Sequence, residues 1–364
     1  MISRDNQQKK EILLKVKISS DASIKSALKK IDQAGLAILF VCDKEDKLEG
    51  VITDGDIRRQ ILKDGDLTQK IEICCNRSPV VFKKGKYTLE QARKTMLEKT
   101  IEVIPVLDEN NYIVDLLFWR DLFEDESKHI KKIDVPVVIM AGGKGTRLEP
   151  FTKILPKPLM PIGEKPAIRI IIDRFNRYGV NHFYVTLNHK GEMIKVYLES
   201  AQNDFDVDYI WEEQFLGTAG GLKLLPLTIG DTFIVSNCDV IVKADYSDLL
   251  RFHNDSRNLL TVVGAIYHHQ IPYGVINFEK EGKIKHIKEK PEFDFTVNTG
   301  MYVMSSKVLE FIPKDKNFDM TDLVAVLLDS KKNVGVYPVS EKSYVDIGQW
   351  KEYREAIDKL GLFE

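Results

Sequence analysis

At 364 residues with 43% hydrophobic side chains, the chain is long enough for two or three domains with ordinary buried cores. Fifty-three lysines and arginines against fifty-five acidic residues leave a net charge of -2, which gives no basic excess for a nucleic-acid partner. No apolar run approaches the roughly eighteen residues that cross a bilayer, so no membrane partner is expected either. Residues 1–10 lack the apolar core of a secretion signal, and a cytoplasmic location is expected. Cys42, Cys74, Cys75 and Cys238 show no metal spacing and are assigned no chemistry.

The first third contains an internal repeat. Residues 23–59 and 88–124 superimpose without a gap at an offset of 65. Ser23 and Thr88 each read as the hydroxyl N-cap of an amphipathic helix. Residues 37–43 align with 102–108 as a buried strand, and residues 50–59 align with 115–124 as a second strand turning into a short helix. The repeat resembles a tandem pair of cystathionine-β-synthase (CBS) domains, an α+β module spanning residues 1–127. The resemblance implies a regulatory site for a nucleotide and a homo-oligomer formed through the CBS units. It also implies that a hydroxyl residue, with an aspartate three positions later, holds the ribose. Thr53 and Asp56 match this pattern, whereas in the second copy Phe118 replaces the hydroxyl and Asp121 remains. The plainer alternative is a scaffold in which Asp56 is a helix cap. A charged connector follows, with the linker placed at residues 128–134 and His129 read as solvent-exposed.

From Val135 onward, apolar stretches at 183–187, 232–236 and 260–264 alternate with helical ones. This predicts an α/β domain over residues 135–364 with a Rossmann-like, mostly parallel sheet. Ligands of such sheets sit beyond the carboxyl ends of the strands. The first strand runs into Ala141, Gly142, Gly143, Lys144, Gly145, Thr146 and Arg147, followed by Pro156-Lys157-Pro158. Three glycines in four positions permit a sharp turn and let several N–H groups converge on one anion, and Lys144 and Arg147 add positive charge. Gly145 stands where a P-loop needs a hydroxyl, and Leu148 where the dinucleotide fingerprint needs its last glycine. A simple glycine turn between strand and helix is the plainer alternative.

Together these motifs resemble the signature of the sugar-1-phosphate nucleotidyltransferases, with related landmarks as far as residue 353. The resemblance implies transfer of a nucleoside monophosphate from a nucleoside triphosphate to a sugar-1-phosphate, with release of pyrophosphate. It implies that Arg147 steadies the triphosphate, that Lys157 contacts the reacting phosphates, and that Asp239 and Asp346 hold magnesium. Cys238 stands where relatives commonly have glycine. Without that resemblance Asp239 would read as a turn residue and Asp346 as the cap of a helix near Gln349. Gly217, Thr218 and Ala219 match a second glycine-containing loop at the base site. Where uridylyl and thymidylyl relatives carry an amide, this chain has Glu212. A carboxylate only accepts hydrogen bonds, and guanine offers N1–H and N2–H2 donors, so Glu212 favours guanine. Tyr273, Gly274, Glu289, Lys290, Asn298 and Thr299 match the family's sugar-phosphate contacts, while His268 and His269 read as structural or exposed.

The CBS pair followed by this transferase is similar to the guanylyltransferases of bacterial legionaminic acid biosynthesis. That similarity implies GTP and glucosamine-1-phosphate as substrates. A mannose-1-phosphate guanylyltransferase and a uridylyl or thymidylyl enzyme are the alternatives. A nucleotide sensor with an inert transferase domain is the rival of another class, opposed by the joint presence of Arg147, Lys157, Asp239 and Asp346.

Overall fold

The repeat at offset 65 folds as two copies of one three-stranded unit. The computed structural model describes residues 12–99, 101–122, 131–200, 204–348 and Tyr353, and it divides into two units, Met1–Ile130 and Lys131–Glu364. In the first unit Lys17–Ser19 pairs in parallel with Ile38–Cys42, which pairs antiparallel with Leu48–Thr53. Phe82–Lys83, Val103–Leu107 and Ile113–Phe118 repeat that order and those directions. Ile38 faces Thr53 and Val103 faces Phe118, so the hairpin registers coincide at the offset read from the sequence. Lys47 bridges Tyr112, its own counterpart, which joins the copies at matching hairpin tips.

Helix Ile24–Ala34 starts at Ser23, whose hydroxyl accepts from the Ser26 N–H, and it buries Ile24, Ala27, Leu28 and Ile31 at helical spacing. Ala92 and Met96, the counterparts of Ala27 and Ile31, enter the core of the second copy with Ile104, Val106 and Leu117.

The second unit is built on a seven-stranded sheet in the order Asp206–Trp211, His182–Leu187, Val137–Met140, Thr232–Asn237, Glu292–Ser305, Leu260–Gln270 and Val334–Ser340. Glu292–Ser305 runs antiparallel to both neighbours and the remaining pairs are parallel. This is the mixed α/β, mostly parallel architecture that the alternating pattern predicts. Val137 and Ile139 pack on one face with Ile168, Ile171, Ile172 and Phe175 of helix Ala167–Arg177. Val138 and Met140 pack on the other with Leu323 and Leu327 of helix Met320–Asp329. Covering both faces explains why the strand reads as an unbroken apolar run.

The expected linker is divided. Residues 128–130, including His129, lie outside the described residues, whereas residues 131–134 belong to the second unit. There Ile133 is buried and its N–H donates to the Tyr178 carbonyl at 2.8 Å, so one apolar residue in a charged run anchors the segment. A helix at Gln349 also falls outside the described residues. Among the described residues, no helix is long and apolar enough to cross a membrane.

Candidate active site

The glycine loop is braced from below. The Ala141 N–H donates to the Thr186 carbonyl at 3.1 Å and to its hydroxyl at 3.2 Å, fixing the loop where it leaves the sheet. Gly145 has φ 67°, and a Cβ there would lie 3.0 Å from Lys157 Cβ and 3.1 Å from Thr152 Cγ2. Glycine is therefore required twice over, by the left-handed backbone and by close approach to the Pro-Lys-Pro turn. The Thr152 hydroxyl donates to the Gly145 carbonyl at 2.9 Å. Lys144, Thr146 and Arg147 stay exposed on the outer side, and Gly143 has open space above it.

Beside the loop lies a cleft of about 290 Å³ lined by Lys144, Thr146, Glu149, Thr152, Lys153, His189 and Lys190. Lys190 donates to the Thr152 carbonyl at 2.8 Å, tying the end of strand His182–Leu187 to the loop. Lys153, His189 and Lys190 were not singled out in the sequence. The available signal was position, since residues 188–190 follow the carboxyl end of a strand next to the glycine loop.

Asp239 and Asp346 are brought together by a two-stranded ribbon, Val240–Val242 against Tyr344–Asp346, in which Val240 faces Asp346. The Ile347 N–H donates to the Asp239 carbonyl at 2.9 Å, and the Gly348 N–H donates to Asp346 Oδ1 at 2.6 Å. A Cβ on Gly348 would lie 2.7 Å from Asp239 Oδ2, 2.8 Å from Asp346 Oδ1 and 3.0 Å from Lys157 Nζ, so these three charged atoms surround one point. Lys157 is ion-paired with Asp239, with their side chains 9% and 13% exposed. Burial, then the Asp346 carboxylate, push the Tyr344 hydroxyl well above its usual range and keep it a neutral donor. Cys238 is buried in the core beside Asp239, its thiol pushed by burial up to about 12, so the departure from glycine is absorbed by packing.

Two converging carboxylates form an oxygen-only donor set that suits a hydrated magnesium ion. Among the described residues no cluster of three or more His, Cys, Asp or Glu side chains offers a denser cage. The donor chemistry therefore fits the ion that the sequence motifs imply.

Glu212 is 6% exposed and lies between the two glycine loops. A Cβ on Gly221 would approach its Oε1 to 2.6 Å, and one on Gly142 to 3.2 Å. Its Oε2 accepts from the Leu216 N–H at 3.2 Å, and its backbone carbonyl accepts from Asn188 Nδ2 at 2.7 Å. Burial raises its carboxyl pKa, against the pull of the Leu216 N–H and the Thr186 hydroxyl.

The second loop is tied to a segment about a hundred residues further along the chain. The Thr218 N–H and hydroxyl both donate to Asp319 Oδ1, at 2.9 and 3.2 Å, and the Ala219 N–H donates to the Phe318 carbonyl at 2.9 Å. Gly217, at φ 82°, packs against the same segment. The Thr218 hydroxyl in turn accepts from the Met320 N–H at 2.9 Å, which ties the loop to the start of helix Met320–Asp329.

Among the sugar-site residues, Tyr273, Gly274, Glu289 and Lys290 meet at the base of the hairpin Val275–Phe278/Ile284–Lys288. There the Lys290 N–H donates to the Tyr273 carbonyl at 3.2 Å, and a Cβ on Gly274 would lie 2.9 Å from Glu289 Oε2. Asn298 donates to the Tyr302 hydroxyl at 2.7 Å. Thr299 is buried and donates to the Val263 carbonyl at 2.8 Å, which braces the bulge in strand Leu260–Gln270. Gly300, at φ 82°, leaves room for Asn237, whose Nδ2 would lie 2.5 Å from a Cβ there. Asn237, two residues before Asp239, is a further polar residue that the sequence motifs did not mark. His268 pairs across the strands with Asp294 at 2.6 Å and is structural.

In the first unit Thr53 and Asp56 close on each other. The Thr53 N–H and hydroxyl donate to Asp56 Oδ2 at 2.9 and 2.6 Å, and the Asp56 N–H donates back to the Thr53 hydroxyl at 3.2 Å. This is a capping box on helix Asp54–Asp64, the plainer of the two readings of Asp56. The side chain of Asp121 lies outside the described residues.

Residues 136–361 match the family model for the nucleotidyl transferases, and residues 10–63 match that for the CBS domain. A UTP-glucose-1-phosphate uridylyltransferase of Synechocystis sp. is 30% identical over 242 residues, covering 60% of this chain and 62% of that protein. The mannose-1-phosphate guanylyltransferase catalytic subunit beta of Dictyostelium discoideum is 30% identical over 235 residues, covering 62% and 64%. A probable glucose-1-phosphate cytidylyltransferase of Bacillus subtilis is 34% identical over 202 residues, covering 50% and 78%. The chain thus spans about three fifths of the length of the first two. The crystal structure of HddC from Yersinia pseudotuberculosis aligns with a TM-score of 0.50 and 27% identity, over 62% of this chain and all of that one. With the family model spanning most of the second unit and a CBS domain before it, this chain belongs to the nucleotidyl transferase family.

Proposed function

We propose that the protein transfers a nucleoside monophosphate to a sugar-1-phosphate, with GTP and glucosamine-1-phosphate as the leading substrate pair. The observation that carries this reading is the meeting of Lys157, Asp239 and Asp346 around one point, directly beneath a glycine loop that packs on Lys157. In the reaction a phosphate oxygen of the sugar-1-phosphate bonds to the α-phosphorus of the triphosphate. The bond from that phosphorus to the α,β-bridging oxygen breaks, and its electron pair leaves with pyrophosphate. The attacking oxygen is already an anion, so no side-chain nucleophile is needed, and charge neutralisation with in-line positioning supplies most of the catalysis.

Arg147, Lys144 and Thr146, exposed at the glycine loop, would receive the triphosphate. The cleft, where Lys144, Lys190 and His189 stand with the Lys153–Glu149 pair, would hold the departing pyrophosphate. Asp239 and Asp346 would hold magnesium, which supplies further charge neutralisation at the reacting phosphates when bound. Glu212, as an acceptor between the two glycine loops, supports guanine as the base. Tyr273, Glu289 and Lys290 gather at the hairpin base where the sugar phosphate would lie. A GDP-sugar of this kind fits nonulosonic acid synthesis, legionaminic acid in particular. The CBS unit is read as a regulatory module for a nucleotide, with Thr53 and Asp56, joined in a capping box, at its ribose site.

The deciding experiment measures pyrophosphate release with magnesium across four nucleoside triphosphates and the 1-phosphates of glucosamine, N-acetylglucosamine, mannose and glucose. Signal with GTP and glucosamine-1-phosphate above all other pairs supports the full reading. Signal with UTP or dTTP keeps the reaction and removes the base assignment, and silence throughout favours a nucleotide sensor.

A further inference from the structure

We propose that Lys157 is also a positioning residue for the acidic pair, because its ammonium and a divalent cation are alternative occupants of Asp239 Oδ2. The inference rests on the reading of Asp239 and Asp346 as the carboxylates that take the cation. Lys157 Nζ and both carboxylate oxygens lie within 3.0 Å of one point above Gly348. Two carboxylates drawn this close repel unless positive charge stands between them, and at this burial solvent screens the repulsion poorly. The ammonium supplies that charge and holds the pair in the geometry a small cation would use.

The surrounding backbone restricts what moves. Pro156 and Pro158 fix the turn on either side of Lys157, and Gly145 packs on its Cβ. On the acidic ribbon the Gly348 N–H holds the Asp346 carboxylate, and the Ile347 N–H holds the backbone carbonyl of Asp239. With its backbone and Cβ packed, Lys157 moves through the outer part of its stem, which would pivot between Asp239 and phosphates at the glycine loop. If Lys157 left Asp239 with no phosphate to receive it, a mostly buried ammonium would lose its partner. Cation and triphosphate are thus coupled through Lys157, each making room or providing a partner for the other.

The test uses Mn²⁺ as the probe, with binding to the full chain read by electron paramagnetic resonance in the absence of nucleotide. Lys157→Met and Lys157→Gln should each bind Mn²⁺ at least about tenfold more tightly than the wild type. Lys165→Met, which removes the same charge from a surface ion pair with Asp173, should leave Mn²⁺ affinity unchanged. Adding Asp239→Asn to Lys157→Met should abolish the gain. In the wild type, acylation of Lys157 by an amine-reactive reagent, read by mass spectrometry, should rise as Mn²⁺ saturates the site. Equal Mn²⁺ affinity in the wild type and both Lys157 variants, or acylation that stays flat through the titration, overturns the displacement while leaving the carboxylate reading intact. Absence of Mn²⁺ binding in every protein, with and without a non-hydrolysable triphosphate, overturns the carboxylate reading itself. Because the acylation arm uses the wild type, it decides the matter even where a Lys157 variant fails to fold.

Discussion

At the scale of single residues, Glu212 and Lys190 test the two halves of the proposed nucleotide site. Glu212→Gln keeps the side-chain shape but exchanges one acceptor for a donor, so kcat/KM for GTP should fall about tenfold to a hundredfold while that for UTP or dTTP rises. An unchanged ranking of the four triphosphates would remove Glu212 from base recognition. Lys190→Ala should raise the KM for pyrophosphate in the reverse direction about tenfold and leave the KM for the nucleotide sugar near wild type. A shift in both constants would place Lys190 outside the pyrophosphate cleft. Glu212 was legible in the sequence as a position, but its burial between Gly142 and Gly221 was not. Thr218 and Thr299 have hydrogen-bond partners that their motifs do not show. The acceptor for Thr218 is Asp319, a residue 101 positions away, and that for Thr299 is the Val263 carbonyl at a bulge. Neither partner is visible from the residues on either side.

At the scale of elements, the glycine loop and the acidic ribbon are held differently. Gly145→Ala places a Cβ in a left-handed backbone and against Lys157 and Thr152, so stability should fall by roughly 1–2 kcal/mol. Because Lys157 is the residue pressed, turnover should fall by more than the stability loss explains. Calorimetry together with a pyrophosphate assay checks both, and a variant with wild-type melting and rate would show that the loop does not press on Lys157. The loop was legible because its three glycines fall within four positions of the chain. The CBS-like repeat was legible for the same reason, since Ile38 to Thr53 and Val103 to Phe118 share one ungapped register. The ribbon joining Asp239 to Asp346 was not, because strands of three residues such as Val240–Val242 carry too little alternation to announce themselves.

At the scale of the whole molecule, His253 links the second unit to pH. It is 2% exposed, its Nδ1 lies 2.9 Å from the Thr261 hydroxyl, and burial pulls its pKa down to about 4. The folded protein then refuses a proton that the unfolded chain accepts near pH 6.5. The stability present above pH 6.5 is therefore lost progressively as pH falls toward 4, by up to the order of 3 kcal/mol. Melting followed from pH 7.5 to 4.5 should show this loss for the wild type and a shallower one for His253→Gln. Equal slopes would assign the acid sensitivity to other groups. Composition, period and spacing determined the α/β class, the internal repeat and the glycine loop, and motif resemblance pointed to the family, because each is written in residues close together in the chain. Tertiary structure alone decided that Lys157 rests on Asp239, that Asp346 stands beside it, and that Lys153, His189 and Lys190 share a cleft with the loop. Those are meetings of segments up to about two hundred residues apart, and local sequence carries no term for them.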